Sequence, residues 1–225
     1  MLSRWQTELE GKAWNSLFWK NTQAPDEEGD ICFRPYEAIA YAIIAGGFYM
    51  GIIYEEKSRQ FHLYNDKISY IMTCLPNGQM GQIYYGKRIR HRESFGHLLE
   101  FAHRDMAPCV YEDDTTFSLE HIKQEYPGFG TGDMRYPAYG IRRENGSRVS
   151  SFVYKSHIIQ RGKPELPGLP AAYVEQDEEA WTLKMYLEDP VAGMELVLFY
   201  TIYEKMPVLT RSARFVCRGP ELVCL

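Results

Sequence analysis

The chain has 225 residues, 45% of them hydrophobic and 14% aromatic, enough apolar material for one large domain or two small ones. A formal charge of −5 and an isoelectric point near 5.7 give no electrostatic footprint for nucleic acid or an anionic membrane. Five cysteines (Cys32, Cys74, Cys109, Cys217 and Cys224) are odd in number, scattered and without a C-x-x-C pair. That argues against a disulfide framework, a metal site or a cofactor anchor, and for isolated thiols in a reducing cytoplasm.

Residues 1–49 differ in character from the remainder of the chain. Trp5, Trp14 and Trp19 lie there, yet no sustained 3.6 or 2.0 periodicity organises them. Pro25-Asp26-Glu27-Glu28-Gly29-Asp30 reads as a loop, and only 36–44 has the pattern of a short helix or strand. The start lacks the basic residues and apolar run of a signal peptide. The longest apolar segment, 38–50, is far short of the ~20 residues of a membrane-spanning helix. These features predict a soluble, cytoplasmic protein. Ala45-Gly46-Gly47, back-translated, can contain AGGAGG, and Met50 lies beyond it at the spacing of a bacterial start codon. The expectation is that translation begins at Met50 and that 1–49 is upstream DNA read in frame. The alternative is an atypical N-terminal extension.

From Gly51 onward the pattern is β. Segments 61–63 and 68–75 read as strands, and Pro76-Asn77-Gly78 turns the chain into 80–85. An Asn-Gly pair between β-rich runs is a strong hairpin signal, because both residues tolerate positive φ. The device recurs at Asn145-Gly146, between 139–142 and a run over 149–159. Runs 182–187, 195–203 and 208–216 alternate Val, Leu, Ile, Phe and Tyr with polar residues, as antiparallel strands with one wet face do. No strand alternates with an amphipathic helix, so the prediction is an all-β, large antiparallel two-sheet sandwich over 50–225. Segment 215–225 reads as strand, turn and the opening of another strand, and suggests a fold cut short at its C-terminus.

Chemistry is harder to find. G-x-S-x-G, H-E-x-x-H, P-loop and dinucleotide fingerprints are missing, and Gly128-Phe129-Gly130-Thr131-Gly132 lacks the Lys-Ser/Thr of a phosphate cradle. Lys87-Arg88-Ile89-Arg90, beside His91, reads as a solvated strand end. Glu112-Asp113-Asp114 and Asp177-Glu178-Glu179 are consecutive acids, whereas glycoside hydrolysis needs two carboxylates about 5–9.5 Å apart across the bond. No catalytic residue is assigned. The densest stretch, 103–139, mixes His103, Arg104, Asp105, Glu125, Asp133 and Arg135 with tyrosines and phenylalanines, the ingredients of a sugar contact. The plainer alternative is that Asp133 and Arg135 pair locally to fix a long connection while the aromatics fill the core.

Phe117-Ser118-Leu119-Glu120, Gln124-Glu125-Tyr126-Pro127 and Gly130-Thr131-Gly132-Asp133-Met134-Arg135-Tyr136-Pro137-Ala138 closely resemble the N-terminal domain of glycoside hydrolase family 36 α-galactosidases. Gly162-Lys163-Pro164, Gly168-Leu169-Pro170-Ala171, Tyr200-Thr201-Ile202-Tyr203-Glu204 and Thr210-Arg211-Ser212-Ala213 extend the likeness in order. The resemblance implies a β-supersandwich ahead of a catalytic (β/α)₈ barrel that this chain does not reach. It further implies retaining hydrolysis of terminal α-linked galactose from oligosaccharides such as melibiose or raffinose, in a homotetramer. The resemblance also implies that one substrate contact comes from the N-terminal domain at an acidic position. Here His103 occupies that position, with Arg104 and Asp105 next in the chain, and Asp105 is the carboxylate able to substitute. Two other readings stay open: a free-standing sugar-binding sandwich, and a mutarotase-like epimerase using His157 with Glu175 or Glu179.

Overall fold

The computed structural model describes residues 50–100, 114, 116–120, 122–130, 132–166, 168, 171–219 and 223–225. The Val-, Ile-, Leu- and Tyr-rich runs form two four-stranded antiparallel meanders. The first comprises β1 (Gly51–Glu55), β2 (Gln60–Tyr64), β3 (Ile68–Cys74) and β4 (Met80–Lys87) in chain order. The next strand among the described residues is β5 (Arg142–Arg143). The second meander comprises β6 (Val153–Arg161), β7 (Ala180–Asp189), β8 (Met194–Tyr203) and β9 (Leu209–Cys217), again in chain order. β10 (Val223–Cys224) returns antiparallel to β5. Among the described residues no helix is long and apolar enough to cross a membrane.

The period-2 alternation of each strand supplies one inner face, and the two inner faces share one core. Ile52, Phe61, Leu63, Tyr70 and Met72 from the first sheet meet Leu183, Met185, Leu196, Leu198 and Tyr200 from the second. The ends of the sandwich are tied by polar groups. Asn65, fully buried in the β2–β3 turn, donates from Nδ2 to the carbonyls of Tyr203 and Met206 at 2.7 and 2.8 Å. Its Oδ1 accepts from the Lys67 and Ile68 amides, both at 2.8 Å, so one amide side chain closes its own turn and clamps the β8–β9 turn. At the opposite end Tyr154 N donates to Gly78 O at 2.8 Å.

Both Asn-Gly pairs do turn the chain, but not as two-residue hairpins. At each site only the glycine has positive φ, +82° at both Gly78 and Gly146. Gly78 N donates to Leu75 O and Leu75 N to Gln79 O; Gly146 N donates to Arg143 O and Arg143 N to Ser147 O. This is a type I turn closed by a left-handed glycine. Pro76, whose ring fixes φ near −65°, dictates it at the first site.

The strand predicted over 149–159 begins instead at Val153. The residues before it are claimed by loops: Ser150 N donates to Phe129 O at 3.2 Å and Ser151 N to the Asp189 carboxylate at 2.8 Å. The basic run ends β4 as expected, with Arg88 stacked over the Tyr64 ring at 5.0 Å. Cys74, Cys217 and Cys224 are free thiols, and Cys32 and Cys109 lie outside the described residues.

Candidate functional site

The described residues of 114–139 lie across one edge of the sandwich as a loop layer, fastened by two carboxylates. Residues 123–125 add to the β4 edge: Gln82 N donates to Lys123 O at 2.7 Å and Glu125 N to Met80 O at 2.9 Å. This backbone pairing drives the Glu125 side chain between the sheets, where it has no exposure. There Tyr70 Oη of the first sheet lies 2.8 and 2.7 Å from its two oxygens, and Tyr200 Oη of the second donates at 2.8 Å. Arg211 approaches at 3.5 Å from the half-exposed side, and Gln82 donates to Tyr70 Oη at 3.0 Å. Burial pushes the Glu125 carboxyl above the usual carboxylate range; the tyrosine hydroxyls and Arg211 oppose the shift without cancelling it.

Asp133 performs the second fastening. Its oxygens accept from Arg135 Nε at 2.7 Å, from Arg135 N at 3.0 Å and from Gln124 Nε2 at 2.8 Å. Arg135 continues to the carbonyls of Leu119 and Ile122 at 3.0 and 2.5 Å. Burial raises the Asp133 carboxyl, but the bonds from Arg135 and Gln124 outweigh it and hold it below the usual range. The local Asp133–Arg135 pair of the plainer reading is formed; of the described aromatics in this stretch Phe117 is buried, whereas Phe129 and Tyr136 are exposed. Phe117, Leu119 and Ile122 pack on Leu75, and Tyr126, Tyr139, Phe152 and Phe215 form a ring cluster in which Tyr126 and Tyr139 stack at 5.4 Å. A cavity of about 20 Å³ beneath them has room for a single water. Met134 and Tyr136 stand almost fully exposed.

Two further groups bear on chemistry. On the outer face of the first sheet, Ser69 Oγ lies 2.9 Å from His62 Nε2, His62 Nδ1 lies 3.1 Å from His91 Nδ1, and His91 Nε2 lies 2.9 Å from Glu55 Oε1. Sequence reasoning missed His62; its place in an alternating strand, which marks it as an outward polar residue, is the signal that could have found it. A serine, imidazoles and a carboxylate in line invite a nucleophile reading, but Ser69 is fully buried and its oxygen already accepts from Ile89 N at 3.1 Å. On the second sheet, a groove of about 230 Å³ between residues 163–166 and 171–172 and strands β8–β9 is lined by Lys163, Phe199, Thr201, Thr210 and Ser212, with no carboxylate among its described lining residues.

The predicted contact residues His103, Arg104 and Asp105 lie outside the described residues. The epimerase pairing is not formed. His157 Nδ1 takes the Tyr154 hydroxyl at 2.7 Å, and its ring packs on Tyr54 and Phe61 at 4.4 and 4.9 Å. Glu175 is exposed, and Glu179 caps the Glu175 amide at 3.1 Å. The remaining buried carboxylate, Asp189, accepts from the amides of Ser151, Val191 and Ala192. Each buried carboxylate among the described residues is thus committed to protein donors.

These features define a large antiparallel β-sandwich domain whose buried acids hold its architecture together. The glycosyl hydrolase family 36 N-terminal domain profile matches residues 78–225, and the chain belongs to that family. Alpha-galactosidase AgaA of Geobacillus stearothermophilus is 44% identical over 175 residues, covering 76% of this chain and 24% of its own length. The crystal structure of the α-galactosidase AgaB from the same organism superposes with a TM-score of 0.70 at 44% identity, over 77% of this chain and 23% of that one. A variant of AgaA crystallised with raffinose gives a TM-score of 0.68 at 45% identity, over 73% of this chain and 23% of its own. The chain therefore spans about a quarter of the length of the relatives it matches.

Proposed function

We propose that this chain serves as the non-catalytic N-terminal part of an α-galactosidase acting on galactosyl oligosaccharides such as raffinose or melibiose. In this reading it frames the active site, contributes to a homotetrameric interface and lends the substrate one contact through the His103, Arg104 and Asp105 segment. The supporting observation is the family match across 78–225, in a sandwich whose described buried carboxylates are all consumed by structural bonds. The domain unit in this proposal starts at Met50, one residue before β1.

The purified chain should release no nitrophenol from an aryl α-galactoside above background, since loss of a positioned acid and nucleophile forfeits many powers of ten in rate. Turnover abolished by changing one of its own carboxylates would overturn the proposal. In a complete enzyme carrying this domain, Asp105→Ala should raise KM about tenfold or more at unchanged melting temperature, the loss of a charged hydrogen bond of roughly 1.5–3 kcal/mol. An unchanged KM with a lowered melting temperature would make the segment structural. Sugar binding by the isolated chain would favour a free-standing module.

A further inference from the structure

Residues 88–99 form a strap over the outer face of the first sheet, fixed at both hairpin ends. Arg88 N donates to Lys67 O at 2.9 Å, Ile89 N to Ser69 Oγ at 3.1 Å and Phe95 N to Gln60 Oε1 at 2.7 Å. Ser58 Oγ donates to Glu93 O at 2.7 Å. Midway along, His91 lies over His62, ring centroids 5.4 Å apart and nearly parallel, while Phe95 sits edge-on to His62 at the same 5.4 Å. The 2% exposure of His62, an outward-facing residue of β2, results from this cover. We infer that the 88–99 strap is an acid-released cover, closed over a neutral His62 and opened by its protonation.

The proton inventory supports this. With both imidazoles neutral, one directed chain satisfies every contact: Ser69 O–H to His62 Nε2, His62 Nδ1–H to His91 Nδ1, and His91 Nε2–H to Glu55. With one further hydrogen on the pair, at His91 Nδ1, every contact is still satisfied. The His62 tautomer then reverses, so that His91 Nδ1–H donates to it and its Nε2–H donates to Ser69. A second proton has no such solution. Both Nδ1 atoms would carry hydrogen at 3.1 Å, and His62 would hold a buried charge between His91 and Arg88 with Tyr64 and Phe95 as its other walls. The charged or titratable groups around it are Tyr64 from β2, Arg88 and His91 from the strap and, beyond His91, Glu55 from β1. Glu55 reaches only His91. Burial first, then the charges of His91 and Arg88, hold the His62 pKa at about 3. Opening the strap returns His62 to water and its ordinary value. A folded pKa below the open-state value keeps the strap closed above about pH 6.5 and weakens it as pH falls. The opening constant should then rise about thirtyfold between pH 7.5 and 5.

Hydrogen exchange of the 225-residue chain, corrected for intrinsic rates, reads this directly. Strap peptides should open about thirtyfold more readily at pH 5, with β7–β8 peptides still protected, and His62→Gln should remove the difference. Equal strap opening at both pH values, opening only together with β7–β8, or a His62→Gln response as steep as the parent's would each overturn the inference. If the variant does not fold, the comparison of strap with β7–β8 in the parent chain decides alone.

Discussion

Truncating Glu125 to alanine removes the acceptor for two tyrosine hydroxyls sealed between the sheets, Tyr70 at 3% and Tyr200 at 1% exposure. Each stranded hydroxyl costs about 1–3 kcal/mol, and the vacated volume adds a cavity term. The half-exposed Arg211 recovers water and contributes little. The expected loss is about 3–5 kcal/mol, which for a domain of this size lowers the melting temperature by about 10 °C. Glu125→Gln keeps the shape and one acceptor oxygen; one tyrosine must then turn its oxygen toward the new NH₂, at about 1–2 kcal/mol. Urea unfolding monitored by circular dichroism gives both values. Tyr70→Phe supplies the control: it should cost at least ~1 kcal/mol less in the Glu125→Ala background than alone, because the partners are coupled. Additive losses, or an alanine variant within about 3 °C of the parent, would refute the three-way joint.

Gly78 and Gly146 share φ +82°, but a Cβ on Gly78 would sit 3.1 Å from Val153 Cβ whereas one on Gly146 meets nothing within 4 Å. Gly146→Ala should therefore cost ~1 kcal/mol of left-handed strain and Gly78→Ala measurably more; equal melting temperatures would dismiss the Val153 contact. Burial holds the His157 pKa at about 4. Its contribution is complete above the unfolded value near 6.5 and is lost as pH falls, so His157→Gln should flatten the stability profile by about 2 kcal/mol between pH 7 and 5. Asp133→Ala frees Arg135 from its anchor and should make the loop layer cleavable after Arg135 by trypsin while the β6–β9 sheet stays intact. Unchanged cleavage kinetics would show that the Leu119 and Ile122 carbonyls suffice to hold the arginine.

The second sheet was legible in the sequence to within a few residues because its strands alternate over ten positions with Pro or Gly between them. β1 was not, because its hairpin turns at Arg59, φ 52°, where no Gly or Asn announces left-handed backbone. The Asp133–Arg135 fastening was also readable, since the partners are two residues apart. The Glu125 joint was hidden. Its tyrosines lie 55 and 75 residues away, and a glutamate in a loop-rich stretch reads as solvated until the sheets that swallow it are in place. His62 escaped for a related reason: alternation assigns a residue to a face but says nothing of whether a strap later covers that face.

The meander topology bears on how the chain folds. Each meander consists solely of hairpins between sequence neighbours, so either can zip up on the fast timescale of local contacts. Joining them is another matter: the Asn65 clamp spans 138 residues to Tyr203, and the Glu125 joint needs both halves present. Docking of two pre-formed meanders is thus the step with the largest loop-closure entropy, and until it happens two apolar faces stand open. The same segregation makes the polypeptide divisible, because a break in the connection between β4 and β6 severs no strand pair within either meander. Two separately made pieces, 50–100 and 114–225, carry between them the described residues of both apolar faces and the polar ties needed to find each other.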